Sequence, residues 1–147
     1  MTLDKRRELA RNCFGCGRSN PFGLQLYFEA LDGRVEAEFT PEQKHQGFPG
    51  IVHGGITATL LDEAMGWASY ASGIHALTAK METKFRAPIP LGSPVRVIGE
   101  LMQDKGRLLL ARAEIRTLEG RLLAESSGVF LRMRNEALIS LGGWGEA

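Results

Sequence analysis

The sequence has little cysteine, no excess of either charge and no long apolar run, and each shortage removes a class of function. Two cysteines occur in 147 residues, both within Cys13-Phe14-Gly15-Cys16-Gly17. A zinc ribbon needs a second pair of ligands at similar spacing, which the chain does not contain. His45, His53 and His75 could complete a site only across a folded surface. A redox Cys-x-x-Cys is expected beside a βαβ pattern, and that is also missing. The pair is therefore read as structural or incidental thiols, with no metal site and no cofactor expected. Lys plus Arg is 18 and Asp plus Glu is 17, a net charge of +1. Bulk charge thus gives no case for nucleic acid or a membrane as partner. No apolar run approaches the ~20 residues of a membrane span. The charged opening, residues 1–9, has no apolar core behind it and is not a signal peptide. There is no internal repeat or low-complexity tract. The expectation is one cytoplasmic domain over residues 1–147.

What is present is a change of period along the chain. Residues 2–12 read as a short charged helix. After the turn at Asn20-Pro21-Phe22-Gly23, residues 24–30 alternate as a strand, and Asp32-Gly33 turns the chain into residues 35–39. A loop holding Pro41, Gly47, Pro49 and Gly50 leads to a helical pattern over 54–72, where Ile56, Leu60, Ala64, Trp67 and Ala71 form one apolar face. Gly73 supplies a stop. Strands follow at 76–86, 95–103, 108–118 and 122–132, joined by turn signals that predict three consecutive hairpins. Residues 135–147 read as a loosely ordered tail. Two strands, one long apolar helix and four strands pack most simply as a six-stranded antiparallel sheet curled over the helix, an α+β hotdog fold.

On the helix, Asp62 lies roughly 160° from the centre of the apolar face at about 100° per residue. Its neighbours Ala58, Gly66 and Ser69 form a strip of small residues that permits another backbone to approach, whereas Glu63 falls beside Thr59 and Tyr70. Gly54 and Gly55 stand at the helix start, where backbone N–H groups lack intrahelical partners and the dipole favours negative charge. Such donors can bind an oxyanion, and a carboxylate can act as general base or nucleophile. Gly54 and Asp62 are separated by about 12 Å of helix at 1.5 Å per residue. One copy can hardly supply both to one carbonyl, so the reading requires two helices side by side and a site shared between subunits.

The segment His53-Gly54-Gly55-Ile56-Thr57-Ala58-Thr59-Leu60-Leu61-Asp62 resembles the His-Gly-Gly helix of the PaaI-like and THEM4-like hotdog thioesterases. Residues 46–52 are similar to the loop before that helix, and residues 77–81 and 84–92 to the strand and turn after it. With the Cys13-to-Leu24 opening, the resemblance runs from about residue 13 to 133. It implies hydrolysis of acyl-CoA thioesters by a homodimer or homotetramer. Asp62 would be general base or nucleophile, Gly54 N–H would polarise the carbonyl with Gly55 beside it, and Thr78 would help position water. His53 would shape the loop. Some relatives carry an Asn six residues before the His. Here Gly47 stands there, and its role is absent or passes to Gln46. Lys84 and Arg86 are candidates to meet CoA phosphates.

Two other readings use the same fold. His45 with Phe48-Pro49-Gly50 superficially suggests an acyl dehydratase or enoyl-CoA hydratase, but the helical carboxylate Asp62 is too far past Gly50. A non-catalytic acyl-CoA-binding protein should lack that carboxylate. Met65, Trp67, Tyr70 and Met81 are candidates to line an acyl pocket, or equally to fill the core.

Overall fold

The structure, a computed structural model, describes residues 2–134. The expected tail 135–147 lies outside these residues. At the centre is helix α2 (Gly54–Ala71). His53 caps its start: the residue is extended (φ −58°, ψ 136°) and its Nδ1 accepts the Gly55 N–H at 2.8 Å. Gly73, at φ +83°, ends it. The Gly73 N–H donates to Tyr70 O at 2.9 Å and the Ile74 N–H to Ser69 O at 3.1 Å, the paired closure that a left-handed glycine makes possible. The span agrees with the 54–72 periodicity. Leu60, Leu61, Ala64, Met65 and Trp67 are buried.

Six strands wrap this helix: β1 (Glu29–Leu31), β2 (Arg34–Phe39), β3 (Ala76–Phe85), β4 (Val95–Asp104), β5 (Leu108–Thr117) and β6 (Leu122–Arg132). They form one antiparallel sheet in the order β1-β2-β4-β5-β6-β3. This is the expected hotdog arrangement. Alternation sends Val95 and Val97 of β4 and Leu109, Ala111, Ala113 and Ile115 of β5 into the core. The helix crosses β4 so closely that a Cβ on Gly99 would stand 2.2 Å from Ala64 O. Among the described residues, no helix is long and apolar enough to cross a membrane.

Two sequence expectations are corrected. The four later strands do not form three consecutive hairpins. β3 pairs with β6, not with β4, so the chain crosses the sheet between β3 and β4 and leaves β3 on an edge. A period of two specifies a strand's faces, not its neighbour. The 24–30 strand is also largely absent. Leu24, Leu26 and Phe28 are buried as their alternation suggests, but Gln25 has φ +51° and the Leu24 and Leu26 N–H groups donate to Phe14 O and Gly15 O. This segment bonds to the cysteine loop, and only Glu29–Leu31 joins the sheet. At the turn that follows, Asp32 and Gly33 both have positive φ, as a tight hairpin requires.

The amino-terminal helix α1 (Leu3–Leu9), capped by Thr2, is shorter than the expected 2–12. It packs on the second half of α2. Arg6 donates to Gly66 O at 3.0 Å and lies 4.5 Å from the Trp67 ring centroid, while Arg7 donates to Phe28 O. The group that approaches Gly66 in the small-residue strip is therefore Arg6 of the same chain.

Candidate active site

Asp62 stands half-buried on α2, facing the edge strand β3. Thr78 Oγ1 donates to its Oδ1 at 2.6 Å. The register of β3 against β6 shifts between Thr78 and Lys80, a bulge at Ala79. Bulges re-aim neighbouring side chains, and this one lies beside the residue that meets the carboxylate. Replacing Thr78 with Val keeps the shape and removes the donor. An effect of about tenfold on kcat is expected, within the range for a hydrogen bond to a charged group. It is read by steady-state kinetics, and an unchanged kcat would remove Thr78 from the site.

The two glycines at the helix start are not equivalent. Gly55 N–H is committed to His53 Nδ1. Ile56 and Thr57 N–H both donate to His53 O. Gly54 is exposed, and its N–H has no partner among the described residues. A cavity of about 310 Å³ opens there, lined by Gly54 together with Thr57, Phe85, Arg86, Pro88 and Ala124. Gly54 is thus the available donor of the pair, and His53 orients the turn.

His53 is itself held from below. Its N–H donates to His45 O at 2.8 Å. His45 is buried against Phe39, accepts the Glu42 N–H on Nδ1, and has its imidazole pKa lowered first by burial and then by Lys44. That placement makes it a support for the loop and not a group that faces substrate. Gln46 Oε1 accepts the Gly50 N–H at 2.9 Å, tying the loop across its neck. A Cβ on Gly47 would stand 2.9 Å from His53 Cα, so the Asn that some relatives carry at this place could not be seated without moving the helix start.

The remaining expected residues separate. Arg86 lines the Gly54 cavity and its Nε bonds Glu125 at 3.3 Å. Lys84 lines a different depression, with Glu82, Arg112, Glu114 and Glu125 on the outer side of the sheet. Met65, Trp67 and Tyr70 are buried in the core, Trp67 stacking on Phe28, and only Met81 of that set is partly exposed. A feature that sequence reasoning missed is Glu63. The helical wheel set it beside Thr59 and Tyr70, but its Oε1 lies 3.5 Å from Cys13 Sγ under the amino-terminal loop. Burial, then Cys13, pushes its carboxyl up to about 7 against the pull of Arg6. The one sequence signal was Gly15, where a Cβ would stand 2.3 Å from Glu63 Cδ.

Comparison with known proteins gives this geometry a family. The model of the Thioesterase superfamily matches residues 49–124, from the loop before α2 into β6. The chain belongs to the thioesterase superfamily. It is 30% identical over 116 residues to acyl-coenzyme A thioesterase THEM4 of Mus musculus, covering 78% of this chain and 50% of that protein. The chain spans about half the length of the THEM4 relatives it matches. A crystal structure of a thioesterase superfamily protein aligns with TM-score 0.79 at 34% identity, over 82% of this chain and 60% of that one. The E. coli PaaI protein, from a phenylacetic acid degradation operon, aligns with TM-score 0.70 at 19% identity over 76% and 81%, and shares the fold. The resemblance read from the His-Gly-Gly helix thus holds for the family and for its hotdog architecture.

Proposed function

We propose that the protein hydrolyses acyl-CoA thioesters to free acid and CoA, at sites completed between two subunits. The observation that carries this reading is the split of the machinery along α2. Asp62 is oriented by Thr78 at one point, and the unpartnered Gly54 N–H stands about 12 Å of helix away at 1.5 Å per residue. The helix is unbroken between them. The name of the mouse relative, an acyl-coenzyme A thioesterase, supports the substrate class.

In this mechanism Gly54 N–H and the positive end of the α2 dipole stabilise the oxyanion as the carbonyl is attacked. Asp62 of the neighbouring subunit either takes the proton of the attacking water or attacks the carbonyl itself. Collapse of the tetrahedral centre expels CoA as its thiolate, which takes up a proton; where Asp62 itself attacks, water then hydrolyses the acyl–Asp62 anhydride to free acid and restores the carboxylate. Thr78 fixes the carboxylate through Oδ1 and leaves Oδ2 to act. Arg86 beside the cavity is the basic group placed to meet a CoA phosphate.

Subunit pairing through β3 supports the shared site. β3 is a ten-residue edge strand whose free side carries no partner among the described residues, with Leu77 52% and Phe85 60% exposed. An edge strand that exposes large apolar side chains is commonly covered by a partner. Pairing two β3 strands about a two-fold axis covers them and sets the two α2 helices side by side. A homodimer, or a tetramer built from it, is the proposed assembly, and the cytoplasm its proposed location.

The test is a panel of short, medium, long and aromatic acyl-CoA thioesters, with released CoA trapped by a thiol reagent and crotonyl-CoA hydration followed in parallel. Release of CoA from at least one thioester, without hydration, is expected. Tight acyl-CoA binding with no release of CoA would make the protein a binding module instead.

A further inference from the structure

The amino-terminal loop carries a second cluster of reactive groups that thioester hydrolysis does not use. Cys13 and Cys16 are free thiols. Their Sγ atoms and a Glu63 carboxylate oxygen all lie within 4.8 Å of one another. The Cys13 Sγ to Glu63 Oε1 separation is 3.5 Å. Around a tetrahedral ion with metal–sulfur bonds of about 2.3 Å and metal–oxygen bonds of about 2.1 Å, adjacent sulfur and oxygen ligands stand roughly 3.6 Å apart. The observed spacing is that of two such ligands.

The loop is built around these atoms. Gly15 lies against Glu63, and Gly17 against the Cys13 backbone, where a Cβ would stand 2.4 Å from Cys13 N. Glu63 Oε2 is buried with no hydrogen-bond partner. A buried carboxylate beside sulfur is costly unless it takes up a proton or a cation pairs with it.

We propose that Cys13, Cys16 and Glu63 form a binding site for one thiophilic divalent cation of the zinc class, which fastens the amino-terminal loop to the catalytic helix. Two thiolates and one carboxylate around a divalent ion leave a net charge of −1, and the positive Arg6 lies near enough to Glu63 to offset it in part. Loading displaces the thiol protons to solvent and involves no redox change. The sulfur side faces a cavity of about 360 Å³ between α1 and the start of β3, lined by Arg6, Asn12, His75 and Leu77 beside the two cysteines. A water there supplies the fourth ligand. His45 and His53 take no part, because both are spent on the loop before α2.

The test uses the full chain, reduced and stripped with a chelator, titrated with cobalt(II) and then zinc(II). Expected are one equivalent bound per chain, thiolate-to-cobalt charge-transfer absorption with the intense visible bands of four-coordinate cobalt, and displacement of both by zinc. Cys13→Ser and Cys16→Ser should each weaken binding strongly, and Glu63→Gln by at least about tenfold. Should a cysteine variant fail to fold, wild-type protein alone decides: zinc is expected to slow alkylation of Cys13 and Cys16, read by mass spectrometry. Overturning results are absence of charge-transfer absorption in the reduced wild type, equal binding by the Cys13→Ser/Cys16→Ser pair, or alkylation unaffected by zinc. Hydrolysis is assayed separately, so failure of this site leaves the thioesterase reading standing.

Discussion

Asp62→Asn is expected to lower kcat for thioester hydrolysis by about 10²- to 10⁴-fold, the range for loss of a positioned general base. The substitution isolates charge and basicity from shape. Asn retains an oxygen that can accept the Thr78 Oγ1 hydrogen bond, seen at 2.6 Å to Oδ1, so the side chain should hold its place on α2. Acyl-CoA binding and the thermal unfolding midpoint should therefore stay close to wild type. Stopped-time release of CoA gives the rate, and calorimetric titration with a non-hydrolysable thioether analogue gives the affinity. Hydrolysis by Asp62→Asn at near the wild-type rate would eliminate the proposed mechanism. Whether the carboxylate deprotonates water or attacks the carbonyl is separable by rapid quench: only the second route leaves an acyl group on Asp62 to be found by mass spectrometry.

The second large effect is expected at Gly54→Pro, with a loss of about 10²- to 10³-fold in kcat as the oxyanion donor disappears. Proline suits this position for two reasons. Gly54 is the first helical residue, where proline is tolerated because its missing N–H has no intrahelical partner. His53 is already extended at φ −58° and ψ 136°, which a following proline demands. Helicity should survive while the donor is lost. Mixing then tests the shared site directly. Gly54→Pro and Asp62→Asn homodimers are each nearly inactive, but a mixed dimer has one site with both groups intact. Unfolding and refolding the two together at equal concentration should restore about one quarter of wild-type activity, the share of intact sites in a random two-fold assembly. If one subunit supplied both groups, every site in the mixture would be damaged and no activity would return. Failure to recover activity in a mixture that contains heterodimers would sink the two-subunit mechanism.

Much of the frame was legible because local rules and global packing agree there. The helix from Gly54 announces itself by the glycine pair at its start, an apolar face through Leu60 and Trp67, and Gly73 at its end, and nothing distant competes. β4, β5 and β6 were legible from length and turn signals. The partner of β3 was not, since its alternation is the same whether β4 or β6 lies beside it. Residues 24–28 show another limit. Their burial follows the period, but the left-handed Gln25 and the bonds to Phe14 and Gly15 depend on a loop that folds back from earlier in the chain.

The candidate site divides the same way. Asp62 and Gly54 stood out from chemistry and helix geometry, and the separation along α2 followed from rise per residue alone. Thr78 came from family resemblance, because no local rule brings a residue sixteen positions later to Asp62 Oδ1. Glu63 was illegible as a neighbour of Cys13. Its position on the helix is regular, and what covers it is a tertiary contact made by the glycine-lined cysteine loop.

The crossover that leaves β3 beside β6 also sets a timetable. Thr78 lies opposite Phe130, so the strand carrying the hydroxyl finds its sheet neighbour only when the last strand has been made. β6 is made after the Asp62 helix and the β4–β5 hairpin, and the closure that seats β3 spans most of the second half of the chain. The orienting hydroxyl is therefore held in the sheet only once β6 is present. A chain released before β6 would carry Asp62 and Gly54 in full and still lack the strand that presents Thr78 to one of them.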